Sequence, residues 1–144
     1  MQTFLPLPSF VKSAIVLDRL RLGKQRVECK QILNALRKGP ISGDKKTPWY
    51  NHPATRMWLG YERALALYGW CMCQEWKLRG YNDSMSHFFY DAMGRDPVEF
   101  PAWIGDEQFH RSHQSNLLRK DPDHYARFGW SVPSDLPYLW PSNN

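Results

Sequence analysis

Prolines, glycines and capping residues divide this chain into helix-length segments. Between them, no convincing run of residues alternates apolar and polar with the period of two that a half-buried strand needs. That punctuation restricts the fold more than any other feature. Ser9 is placed to cap a short opening turn. From Asp18 to Lys38, apolar residues recur at Leu22, Cys29, Ile32, Leu33 and Leu36 before Gly39-Pro40 stops the pattern, which predicts a first long helix. Ile41 to Tyr50 mixes Gly, Pro, Lys and Asp without periodicity and reads as a loop. A second long helix is expected from a cap at Asn51 or His52, with Pro53 in the first turn where proline is tolerated, through to Arg79 and a stop at Gly80. Ser84 to Met93 reads as a short helix. A third long one begins at an Asp106 cap, carries Arg119 and Lys120 in its last turn and ends at Asp121-Pro122. The tail from Gly129 is rich in proline and aromatic residues and is expected to lie extended across the helices with its rings buried. The fold class is therefore all-α, with three main helices.

At 144 residues the chain can build one hydrophobic core and is short for two, so residues 1–144 read as a single compact domain. Seven Trp, seven Tyr and seven Phe can fill that core or stack on bases, and the net charge of +5 favours a polyanionic partner. Cys29, Cys71 and Cys73 match no disulfide or zinc spacing, and no apolar run approaches the ~20 residues of a membrane span. These features lead us to expect a cytoplasmic protein that does not enter a membrane. There is no glycine-rich phosphate loop and no His-Glu-x-x-His. His110 and His113 lie one turn apart but have no third ligand at a recognisable spacing, so neither metal nor cofactor is expected.

Three constellations can carry chemistry. On the first helix, Arg21, Gln25, Glu28 and Ile32 fall within about 60° of one another at the edge of the apolar stripe, beside Lys24 and Arg26. Partial burial or a neighbouring guanidinium would tune the Glu28 carboxylate for proton transfer or for stabilising a developing cation; an ion pair with Lys24 is the plainer alternative. On the third helix, His110, Ser112, His113, Ser115, Asn116, Arg119 and Lys120 form an unusually polar series of donors suited to phosphate contacts, or a merely solvated face. At the start of the second helix, His52, Thr55 and Arg56 can add to the anion affinity of free backbone N–H groups. Trp58, Tyr61, Leu65 and Tyr68, at spacings of three and four, read as core packing.

The segments LDRLRLGKQRVECKQIL, NHPATRMWLGYERALALY, EWKLRGYN and FHRSHQSNLLRKDPDHYARFGW together resemble the pyrimidine-dimer DNA glycosylases, small glycosylase/abasic-lyase enzymes of phages and bacteria. The resemblance implies an all-α domain whose extended N-terminal arm runs between helices and brings the chain's α-amine beside a helix-borne catalytic glutamate. Glu28 is the matching position. It further implies attack of that amine on the sugar C1′, release of the base and an imine through which the strand is cut, on double-stranded DNA and by a monomer. The chain departs from the family pattern at Gln2, where the characterised enzymes expose a threonine, and at Val27, where the more distant relatives carry an arginine. On this reading the Met1 amine is the expected nucleophile, with the Lys24 amine as an alternative. Two other functions remain open from sequence: a non-catalytic nucleic-acid-binding module of the same fold, and a metal-dependent nuclease using His110 and His113, which a chelator would abolish.

Overall fold

The structure is a computed structural model and describes residues 1–141. Helix α1 (Phe10–Val16) opens where the Ser9 side chain accepts from the Lys12 N–H, and α2 (Arg19–Lys38) where Asp18 accepts from the Arg21 N–H. Each cap satisfies one of the N–H groups that a first helical turn leaves without a partner. Helices α5 (Ser86–Met93) and α6 (Glu107–Lys120) also lie where the sequence puts them, α6 with Asp106 as its cap.

Two expectations are corrected and one element is added. Residues Ile41–Tyr50 are not wholly irregular, since β1 (Ile41–Ser42) and β2 (Lys45–Lys46) pair antiparallel as a small exposed hairpin. The helix expected over 51–79 is two, α3 (Pro53–Arg56) and α4 (Glu62–Leu78). Gly60 sits between them at φ 87°, a backbone conformation that ends α-helical geometry and that glycine adopts without a Cβ clash. After α6, Asp121 caps a further short helix, α7 (Pro122–Tyr125), which runs into a 3₁₀ turn at Ala126–Phe128.

Helices α2 and α4 form the central pair, with α1 and α5 packed on α4. Leu22, Cys29, Ile32 and Leu33 of α2 and Leu65, Tyr68 and Met72 of α4 share one core with Trp58, Trp103 and Phe109. The expected apolar role of Trp58, Leu65 and Tyr68 holds, while Tyr61 is only partly buried. At Gly69 a Cβ would stand 2.5 Å from the Phe89 ring, so α5 can lie this close to α4 only over a glycine. Arg26 ties α2 to the start of α5. Its Nε donates to Asp83 Oδ1 at 2.8 Å, its guanidinium lies over the Trp76 ring, and Asp83 Oδ2 accepts from the Met85 and Ser86 N–H groups. Burial pulls the Asp83 carboxyl upward, but the bonds from Arg26 and Ser86 outweigh it and hold the group below the usual carboxylate range. The tail rings are half-buried rather than buried: Trp130 stacks on Tyr125 and Phe128, and Tyr138 and Trp140 pack on the edge of the core.

Candidate functional site

Residues 2–6 are buried but belong to no helix or strand, so their backbone N–H and C=O groups must find partners elsewhere. Side chains from three helices supply them. On α2, Gln25 Nε2 donates to the Gln2 carbonyl at 2.9 Å and Gln25 Oε1 accepts from the Phe4 N–H at 2.8 Å. The Tyr68 hydroxyl of α4 lies 2.6 Å from Gln25 Oε1 and 2.8 Å from the Phe4 carbonyl, with one proton to place between them. On α6, the Leu5 N–H donates to His113 Nδ1 at 2.9 Å, while His110 Nδ1 lies 2.8 Å from the Leu5 carbonyl. The Gly105 N–H donates to His110 Nε2, which leaves the proton on Nδ1 and makes that nitrogen the donor to Leu5. Gln114 reaches the Pro6 carbonyl, and the Trp58 indole N–H donates to Thr3 Oγ1.

This clamp fixes the register of the arm against Glu28. The Gln2 N–H lies 3.4 Å from Glu28 Oε2, which also accepts from Gln25 Nε2 at 3.2 Å. Glu28 is half-buried at the edge of the apolar stripe, and its partners are Gln25 and the arm. Among the described residues it makes no ion pair with Lys24. A cleft of about 260 Å³ opens over it, lined by Met1, Gln2, Phe4, Leu20, Arg21, Lys24, Gln25, Glu28, Lys120 and Tyr138. Leu20, Lys24 and Glu28, one turn apart along α2, form a ridge between this cleft and a second, more apolar groove of about 570 Å³ floored by Gly23 and Trp76. Arg21 borders the first cleft while paired with Asp18 at 3.2 Å.

The sequence-derived candidates separate into two groups. Arg21, Lys24, Glu28, Met1 and Lys120 meet at the cleft. His52, which caps α3, and Arg56 at its end are half-buried; burial and the terminal amine lower the His52 pKa, and Glu28 opposes them, so His52 lies within electrostatic reach of both cleft groups. Exposed Arg119, whose guanidinium donates to the Ser134 carbonyl, fastens the tail. Gln25, Arg26, His110, His113, Ser115 and Asn116, with Ser112 and Thr55, are buried and are withdrawn as phosphate contacts. Each has at most 7% of its surface accessible, too little to meet a phosphate. Gln25, His110 and His113 hold the arm. Ser115 Oγ accepts from the Leu136 N–H at 2.9 Å, Asn116 Nδ2 donates to the Leu136 carbonyl, and Ser112 Oγ accepts from the Leu139 N–H, so these three hold the tail. The polarity of α6 thus serves two extended segments, one on each side.

Tyr68, Gln2 and Tyr138 were not singled out as site residues from sequence. The stripe containing Tyr68 is indistinguishable from ordinary core until its hydroxyl is seen on Gln25 and Phe4. Tyr138 reaches the cleft only because the tail folds back along α6. Among the described residues no three potential ligands gather around a metal position, and no helix is long and apolar enough to cross a membrane.

These features define a class of small all-α proteins with a clamped N-terminal segment beside a helix-borne glutamate, under a cleft rimmed by basic side chains. Within that class, residues 1–89 match the family model described as pyrimidine dimer DNA glycosylase, over more than half the chain. The chain belongs to the pyrimidine dimer DNA glycosylase family. The matched part carries the arm, α2 with Glu28, and α4; α6 and the tail lie beyond it. No curated protein and no solved structure matches the chain.

Proposed function

We propose that this protein is a metal-independent DNA glycosylase with abasic-lyase activity that removes damaged or modified pyrimidines, with the Met1 α-amine as nucleophile and Glu28 as the acid–base group. One observation carries the reading: the clamped arm ends at Glu28, with the residue-2 nitrogen 3.4 Å from its Oε2 and Met1 lining the same cleft. The amine lone pair attacks C1′ and the glycosidic electron pair leaves with the base. The carboxylate then relays one nitrogen proton to the departing base and the other to O4′ as the sugar ring opens to the imine, and loss of a C2′ proton expels the 3′ phosphate. Glu28 Oε2 is held by Gln2 and Gln25, while Oε1 accepts no hydrogen bond from the described residues and is available to the sugar. Lys24 and Lys120 at the cleft, with Arg21, His52, Arg56 and Arg119 around it, are the proposed contacts to double-stranded DNA, which the protein binds as a monomer in the cytoplasm.

The test is base release from duplexes carrying a pyrimidine dimer or a modified pyrimidine, in the presence of chelator. The wild type is expected to turn over, and Glu28→Gln to lose at least a hundredfold in rate while binding as tightly or more tightly, since one negative charge is removed. Binding without base release by the wild type would instead identify a non-catalytic module.

A further inference from the structure

Trp49 is the one non-glycine residue with a positive φ, 69°, among the described residues, and it is 52% exposed. The position is unfavourable twice over. In the left-handed region a Cβ crowds its own backbone, and here a large apolar ring is also left in water. The turn around it is closed by the Tyr50 N–H on the Thr47 carbonyl and the His52 N–H on the Trp49 carbonyl, bonds a glycine at residue 49 would allow without strain. Backbone strain kept under an exposed aromatic ring is a pointer to use rather than to packing.

The surroundings indicate what the ring meets. The indole stands edge-on to His52, with ring centres 5.9 Å apart; His52 is 6.0 Å from Trp140, and Trp140 is 5.5 Å from Tyr138, which lines the Glu28 cleft. A continuous line of rings therefore runs from Tyr138 at the cleft through Trp140 and His52 to an exposed indole three ring contacts away. Beside it are cations: Lys45 and Lys46 are exposed on the hairpin just upstream, and the Arg56 guanidinium lies over the Tyr50 ring.

We propose that Trp49 is a stacking residue for DNA, its exposed face packing on a base adjoining the nucleotide held at Glu28 once that base has lost its own stacking neighbour. An indole face accepts any base, so this contact anchors a distorted duplex without reading its sequence, while Lys45, Lys46 and Arg56 neutralise phosphates alongside. The inference rests on the glycosylase reading, because it takes DNA as the ligand.

The test compares wild type, Trp49→Gly and Trp49→Phe, all full length, on a duplex with one tetrahydrofuran abasic analogue flanked by 2-aminopurine and on the same duplex undamaged. Trp49→Gly is expected to melt at or above the wild-type temperature, to bind the abasic duplex about tenfold or more weakly, and to lose the 2-aminopurine fluorescence change that the wild type causes. Trp49→Phe keeps most of both. On undamaged duplex the three proteins differ by less than twofold. Trp49→Gly binding as tightly as wild type overturns the inference, as does a large fall in melting temperature, which would make the indole structural. A change in self-association with unchanged DNA affinity also overturns it, by assigning the ring to a protein contact. A wild type that does not distinguish abasic from undamaged duplex contradicts the glycosylase reading, and this inference with it.

Discussion

At the scale of single residues, the site depends on buried polar groups that must keep one protonation state. His113 accepts the Leu5 N–H through Nδ1, which requires the neutral ring, and burial followed by the nearby His110 lowers its pKa from 6.5 to about 3. Below pH 6.5 the unfolded chain therefore takes up a proton that the folded chain refuses. Stability is expected to fall as pH drops from about 6.5 towards 3, at up to roughly 1.4 kcal/mol per pH unit from this group. Asp18 and Asp83, both held below the usual carboxylate range, add to the loss at the acid end. Thermal melting between pH 7 and pH 4 checks this, and His113→Asn, which keeps an acceptor, is expected to shallow the slope. The half-buried placement of Glu28 is legible in sequence, because a position at the stripe edge follows from helical periodicity, whereas its proposed role comes from the family resemblance. Spacing gave no access to the true role of Gln25, His110 and His113. A polar face that meets solvent and one that meets an extended chain look identical until the second segment is placed.

At the scale of elements, the caps at Ser9 and Asp106 set helix starts that local chemistry alone decides and that are readable in sequence, whereas Asp18, taken there into the helix, proves to be the cap of α2. The break between α3 and α4 is not readable there. The three- and four-residue spacing of Trp58, Tyr61, Leu65 and Tyr68 argues for one continuous helix, whereas Gly60 at φ 87° overrides it and Trp58 and Tyr68 reach the same core from different elements. Close approach of elements is likewise a tertiary fact. Gly69→Ala would drive a Cβ into the Phe89 ring, a buried aromatic with little room to move. Destabilisation of about 1–3 kcal/mol is expected by denaturant titration, with the proposed DNA contacts untouched. A neutral result would mean that α5 sits further from α4 than the structure has it.

At the scale of the whole molecule, the net charge is +5, and only some of the cations line the cleft proposed to meet DNA. Arg26 is consumed by Asp83 and Arg21 is shared with Asp18, whereas Lys24 and Lys120 are exposed and line the cleft. Lys24→Ala and Lys120→Ala are each expected to lower the slope of log affinity against log salt by about 1, and Arg26→Ala to act mainly on stability. Binding isotherms from low to moderate salt distinguish the two behaviours.

The proposed reaction depends most on the clamped arm delivering an amine to Glu28. Borohydride reduction of a complex with abasic duplex, followed by proteolysis and mass spectrometry, reads which nitrogen has bonded to the sugar. The account predicts one reduced adduct, on the peptide that begins at Met1 and at its α-amine, formed in chelator and lost when that amine is acetylated. An adduct on Lys24, or none at all, would contradict it.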